Sequence, residues 1–132
     1  MKKFIIVITA LLFNFMSFSE LFADGWTQKA DFGGSERFSA VGFSIESKGY
    51  VGTGSDGSTY YNDFWEYDPA NDTWTKKNDF GGLVRHAAVG FSIGSKGYVG
   101  TGSDGSTYYK DFWEYDPASD SWTQKAGFGG SV

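Results

Sequence analysis

The sequence predicts an all-β fold of repeated, four-stranded antiparallel sheets. Three observations lead to this prediction: a repeat of 48 residues, short strand patterns bounded by turn residues within each repeat, and no helical periodicity after the first two dozen residues. A repeat of this length is typical of supersecondary units that bury their faces against one another. We therefore expect neighbouring units to stack.

The repeat is clearest in the tryptophans. Trp26, Trp74 and Trp122 are each 48 residues apart. Aligning 26–73 with 74–121 gives ten mismatches in 48 positions, so 38 residues are identical, and 122–132 begins a third copy. The repeat region therefore runs over 24–132, with two full units and one partial unit.

Each unit contains four predicted strands in the same order. They are 38–45, 50–54, 64–67 and 73–76 in the first unit, and 87–93, 98–102, 112–115 and 121–124 in the second. A hairpin turn at 46–49 joins the first two strands, and Asp68-Pro69 begins a type I turn between the last two. Four short strands joined by turns predict one antiparallel sheet per unit.

One face of the first strand is bulky and the other is small. Val41, Phe43 and Ile45 alternate with small residues, and the equivalent strand of the second unit offers Ala88, Gly90 and Ser92. Large side chains of one sheet fit against small residues of the next. We expect the two sheets to pack face to face in this way.

The second unit resembles a kelch repeat. The residues that carry the resemblance are Arg85, the strand 87–93, the segment Gly97-Tyr98-Val99-Gly100-Thr101-Gly102, Tyr115-Asp116-Pro117 and Trp122. The family's adjacent glycine pair is split here by Thr53 and Thr101. The resemblance covers nearly all of 26–132 and implies kelch-type β-propeller blades, arranged as an incomplete ring of two blades with an orphan strand at each end.

Two blades leave stacking faces uncovered, because kelch propellers usually close with about six or seven blades. Further blades could come from the same reading frame, in which case the chain is a fragment, or from homo-oligomerisation, with three chains forming one ring. A stable isolated pair is the third alternative, although repeat arrays usually need three units. We favour the fragment.

The first residues have the pattern of a signal peptide. Lys2 and Lys3 precede an apolar run over 4–18, which is shorter than the roughly 20 residues of a membrane span. Cleavage is predicted after Ser19 or Ala23, so we assign 1–23 as leader and expect a secreted or periplasmic product with no stable membrane anchor. The choice of cleavage point stays open.

Composition excludes several functions. A net charge of -5 opposes nucleic-acid binding, and the absence of cysteine with a single histidine disfavours a metal site. Among enzymes that the kelch resemblance brings to mind, the galactose-oxidase-like type needs a Cys-linked Tyr and paired His ligands, which this chain lacks. We expect no cofactor, no metal and no catalytic residue.

Nine residues are candidates for binding a protein or glycan partner. Arg37 and Arg85 open the first strands beside the variable connection, with structural bonds to loop carbonyls as the alternative. The tyrosines of the loop between the second and third strands could stack on sugar rings or pack on a neighbouring loop. The full set is Arg37, Arg85, His86, Asp56, Tyr60, Tyr61, Asp104, Tyr108 and Tyr109.

The predicted function is a secreted, non-catalytic binding or structural module. Its contacts are expected from the connections between blades and from the loops between second and third strands, since loops commonly carry binding residues. The alternative is a fragment of a larger propeller enzyme acting on a sugar, galactose-oxidase-like or sialic acid mutarotase-like, whose chemistry lies in other blades.

Overall fold

The computed structural model of the chain describes residues 25–130. The predicted leader 1–23 and its cleavage points lie outside the described residues. Within 25–130 no helix is long and apolar enough to cross a membrane.

The described residues form two four-stranded antiparallel sheets, which we call the first and second blade. In each blade the strands pair in sequence order, β1-β2-β3-β4 and β5-β6-β7-β8. The strands are β1 Val41–Ile45, β2 Lys48–Gly52, β3 Phe64–Asp68, β4 Thr73–Lys77, β5 Val89–Ile93, β6 Lys96–Gly100, β7 Phe112–Asp116 and β8 Ser121–Lys125. Four strands per repeat and an open, two-blade stack are confirmed.

The first strand of each blade starts later than predicted. Ser39 and Ala87 have φ values of 51° and 52°, in the left-handed region, so the extended chain is interrupted there. Phe38 makes only an isolated bridge to Ser55, and β1 begins at Val41. The second strands begin two residues earlier than predicted, because Ile45 already pairs with Lys48 across a two-residue turn.

The prediction of an orphan strand at each end was wrong. Ser121–Lys125 is the fourth strand of the second blade, paired along Phe112–Asp116. Residues 25–30, around Trp26, form no strand. The N-terminal segment instead reaches the first blade through bonds such as that from the Ala30 amide to Asp72.

The first blade covers the second through β1, as predicted. A Cβ placed on Gly90 would lie 3.1 Å from the ring of Phe43 and 3.2 Å from Val41. Val41 joins Phe80 and Val99 in one buried cluster, with Ala88 and Trp122 packed against it. Glycine in the second blade faces a large ring of the first blade, so the two sheets approach closely.

Candidate functional site

All nine candidate residues lie on one edge of the blades. At this edge the second strand ends, the third begins, and the connection to the next first strand returns. We call it the loop edge; in the first blade it comprises the segment 35–40 before β1, the loop 53–63 and the connection 78–88, and in the second blade the loop 101–111. Short connections place residues from both blades side by side here.

The two arginines are bound inside their own blades. Arg85 Nη1 and Nη2 donate to the carboxylate of Asp111 at 2.6 and 2.9 Å, and Nη1 also donates to the Thr101 carbonyl at 2.9 Å. Arg37 repeats the pattern with Asp63. Arg85 is 0% exposed, so its guanidinium is held as a structural element of the loop edge.

Aromatic rings enclose each arginine. The Arg37 guanidinium carbon lies 4.4 Å from the centre of the Tyr61 ring, and Arg85 lies at the same distance from Tyr109. Burial raises the pKa of Asp111, but hydrogen bonds from Arg85 and Trp113 outweigh it and leave the pKa below its ordinary value. The pairs therefore stay ionised at neutral pH.

Asp56 and Asp104 fix the loops between second and third strands. Asp56 accepts hydrogen bonds from the amides of Ser58 and Thr59 and from the Tyr61 hydroxyl. These bonds, the one from Tyr61 being the strongest, lower the pKa of Asp56 to about 2. Asp104 has the same bonds with Ser106, Thr107 and Tyr109. Both carboxylates are engaged in shaping their loops.

Tyr60 and His86 meet where the two blades join. Their ring centres are 5.1 Å apart. His86 Nδ1 lies 2.8 Å from the Ser103 carbonyl oxygen, which can only accept, so Nδ1 is the donor of this hydrogen bond. The Tyr60 hydroxyl lies directly over Gly105 of the second blade. Tyr60 thus packs on the neighbouring loop.

Tyr108 stands at the open side of the second blade. It is 77% exposed, whereas the equivalent Tyr60 packs against His86. An open pocket of about 630 Å³ runs from Tyr60 and His86 past Thr101 and Gly102 to Tyr108 and Phe128. It brings together four of the nine predicted residues: Tyr60, His86, Tyr108 and Tyr109.

The equivalent place on the first blade is occupied by the chain itself. There the Gly54 amide donates to the Arg85 carbonyl at 2.7 Å, and the Arg85 amide donates to the Tyr61 carbonyl at 3.2 Å. Gly102 and Tyr109 stand at the corresponding positions of the second blade and line the pocket. In the first blade, the connection between the blades fills this position. In the second blade, the same position is the open pocket.

Acidic residues recur in both repeats without converging. Asp68 pairs with Lys48, and Glu66 accepts from the Tyr50 hydroxyl at 2.8 Å. Over residues 25–130, no three His, Cys, Asp or Glu side chains are placed to hold a metal ion. The carboxylates serve separate structural contacts.

Sequence reasoning missed the partners of the arginines. Asp63 and Asp111 follow Arg37 and Arg85 by 26 residues in both repeats. That identical spacing is a signal that could have identified the pairs, because a charge conserved between copies at a strand start needs a partner when it is buried.

Comparison with known proteins agrees with this geometry. A family model described as the Kelch motif matches residues 54–81, which run from the loop edge through β3 and β4. The chain therefore contains a segment that is similar to the kelch motif. A solved structure titled "Structure of YjhT" is similar to it, with a TM-score of 0.70 and 21% sequence identity over 80% of this chain.

The chain spans 42% of the length of that solved structure. At 21% identity the likeness concerns the fold alone. No match was found among curated protein sequences. The likeness to kelch proteins therefore rests on the motif match at residues 54–81 and on the blade geometry.

Proposed function

We propose that this kelch-repeat chain is a secreted or periplasmic, non-catalytic binding module that contacts its partner through the loop edge. The proposal rests on one observation: at this edge some candidate residues are held by internal bonds and others are not. The arginines and aspartates among the candidates are bound internally, in the same way in both blades. Aromatic rings with neutral polar atoms remain for contact.

The Tyr60–His86 pair is the centre of the proposed contact. It lies where the repeats differ, since His86 occupies the position of Phe38 in the first unit. A phenol hydroxyl and an imidazole nitrogen beside two ring faces suit a ligand with an apolar face and neutral hydroxyls. We infer a neutral saccharide as the ligand class, with a protein partner as the competing outcome.

Binding of neutral oligosaccharides tests this proposal. Calorimetric titration with hexose and N-acetylhexosamine oligosaccharides should show saturable binding that His86→Phe weakens at least about tenfold. Phe stands at the equivalent position of the first unit, so the ring packing is retained. Tyr98→Phe is the matched control, because the Tyr98 hydroxyl bonds Glu114 within the second blade.

Two results would contradict the saccharide assignment. One is the absence of binding to any neutral oligosaccharide together with capture of a protein that His86→Phe abolishes, which would favour the protein partner. The other is conversion of the added sugar, followed by proton NMR, which would favour the alternative of a segment from a propeller enzyme.

Secretion is tested separately. Expression in a bacterium with a working secretion pathway should give a periplasmic or extracellular product whose first residue follows Ser19 or Ala23. An uncleaved product retained in the membrane would overturn the proposed localisation.

A further inference from the structure

The two outer faces of the stack are the two halves of the interface that already joins the blades. The first blade uses Val41 and Ile45 to cover the second, and these are 3% and 2% exposed. The same positions in the second blade are Val89 and Ile93, which are 57% and 64% exposed. The second blade thus presents an unused copy of the surface that we call the donor face.

The first blade presents the complementary surface, which we call the receiving face. Around β1, the second blade receives the first through Phe80, Ala88, Gly90, Gly97, Val99, Trp113, Tyr115 and Trp122. The first unit has the same residue types at the equivalent positions: Phe32, Ala40, Gly42, Gly49, Val51, Trp65, Tyr67 and Trp74. The receiving face is therefore repeated without a change in side chain.

The receiving face contains a cavity at the position that corresponds to the Val41 contact between the blades. It has a volume of about 460 Å³ and is lined by Phe32, Glu36, Arg37, Ala40, Val51 and Trp74. Glu36 is the one lining residue that differs between the repeats, since Val84 stands at its position in the second unit. The second-blade equivalents of Phe32, Ala40, Val51 and Trp74 surround Val41. Val89 of another copy has the shape and chemistry to fill this cavity as Val41 fills its counterpart.

The loop edge shows the same complementarity. Phe38 and Tyr108 are 55% and 77% exposed. They are the repeat counterparts of His86 and Tyr60, whose rings are in tilted contact across the junction of the blades. When one donor face meets one receiving face, Tyr108 and Phe38 come together as that pair does, and the connection preceding β1 enters the pocket at Gly102.

We propose that the donor face of one molecule binds the receiving face of a second copy of this chain, head to tail. The contact is heterologous, so each molecule retains one free face of each kind until an assembly closes. Exposed apolar surface of this kind is covered in soluble proteins or drives aggregation. A second copy carries the same apolar residues at the positions that form the contact between the blades.

One element must move for this contact to form. The Phe128 amide donates to the Lys110 carbonyl at 2.7 Å, as the Phe80 amide does to Asn62. Inside the chain, Phe80 lies between the two blades. Between two docked copies, Phe128 of one copy and Phe32 of the other would both have to occupy that one position. We expect residues 126–130 to leave the blade on assembly, and Phe128→Ala to strengthen association.

Analytical ultracentrifugation of the purified protein tests the proposal. The mass should rise above the monomer with concentration. Gly49→Ala should prevent this, because the ring of Phe43 overlaps the Cβ position of Gly97 inside the chain, whereas in the isolated molecule a Cβ on Gly49 meets only Tyr67 at 3.7 Å. Gly129→Ala, with no atom within 4 Å of the added Cβ, is the matched control.

A mixing experiment distinguishes a head-to-tail contact from nonspecific association. Ile93→Ser damages only the donor face, and Gly49→Ala damages only the receiving face. Each variant alone should be monomeric with an unchanged thermal unfolding curve, and an equimolar mixture should form dimers through the one intact pair of faces. A wild-type protein that stays monomeric at millimolar concentration, or variants that associate as the wild type does, would overturn the proposal.

Discussion

The ring of Phe43 occupies the space over Gly97 that a side chain would need. This contact joins β1, an edge strand of the first blade, to β6 of the second blade and gives a reason for the glycine in the second strand of that repeat. Bulky residues on one sheet and glycines on the next let the backbones approach, so the packing energy of a two-layer core arises from aromatic rings. The phenylalanine and the glycine of this contact each recur 48 positions away in different surroundings. Equivalent substitutions in the two repeats can therefore be compared.

Truncation of Phe43 should destabilise the protein far more than truncation of Phe91. Phe43→Ala removes a ring packed between the blades, and such substitutions cost about 3 kcal/mol or more. Phe91 is 40% exposed, so Phe91→Ala should cost about 1 kcal/mol or less in the monomer. Urea unfolding followed by tryptophan fluorescence measures both; equal losses would show that the blades do not cover each other.

The buried arginine should depend on its carboxylate. Asp111→Asn leaves the 0% exposed Arg85 without a charged partner, and breaking a buried pair of this kind costs about 3 kcal/mol. The control is Lys96→Gln, which removes a surface pair with Asp116 and should cost less than about 1 kcal/mol. Equilibrium unfolding at pH 7 compares them, and a neutral Asp111→Asn would mean that Arg85 is solvated.

Acid should destabilise the protein below about pH 4. The pKa values of Asp56 and Asp104 are lowered from 3.8 to about 2 by hydrogen bonds within their loops, and that of Asp63 is also lowered. A depressed pKa contributes stability above the unfolded-state value, and this is lost as pH falls through the folded-state value. Thermal unfolding midpoints should hold between pH 5 and 7 and fall steeply between about pH 4 and 2.

An Asp56→Asn, Asp104→Asn double variant provides the control for this pH dependence. Asparagine cannot take up the protons that Asp56 and Asp104 bind at low pH, so the midpoint of this variant should fall less between pH 4 and 2 than that of the wild type. An unchanged slope would place the acid-sensitive groups elsewhere.

Much of the fold could be predicted from the repeat. Alternating large and small residues in the first strand predicted the contact of Val41 and Phe43 with Gly90, and the packing shows it. Strand starts were less predictable, because Ser39 and Ala87 adopt, beside isolated bridges, left-handed conformations that their residue types do not indicate. The N-terminal orphan strand failed since Trp26, 104% exposed, has no partner strand within the described residues.

The sequence predicted where the loop edge lies, but it predicted the roles of its residues only in part. The sequence located Tyr60, His86 and Arg85 at one edge, because each follows or precedes a strand in a known order. It did not indicate that Arg85 is enclosed by Asp111 and Tyr109, since those contacts join residues that are distant in sequence and depend on the twist of the sheet. The repeat and the alternation of residues predict which side of a strand is buried. They do not predict which polar groups pair with one another.

Thiol labelling tests the central claim, that identical faces are covered in the first blade and open in the second. The chain has no cysteine, so Ile45→Cys and Ile93→Cys each introduce a single probe at equivalent positions that are 2% and 64% exposed. In a Gly49→Ala background, which blocks a second copy, the cysteine at position 93 should react at least about a hundredfold faster than the one at position 45. Equal rates at the two positions would contradict the account.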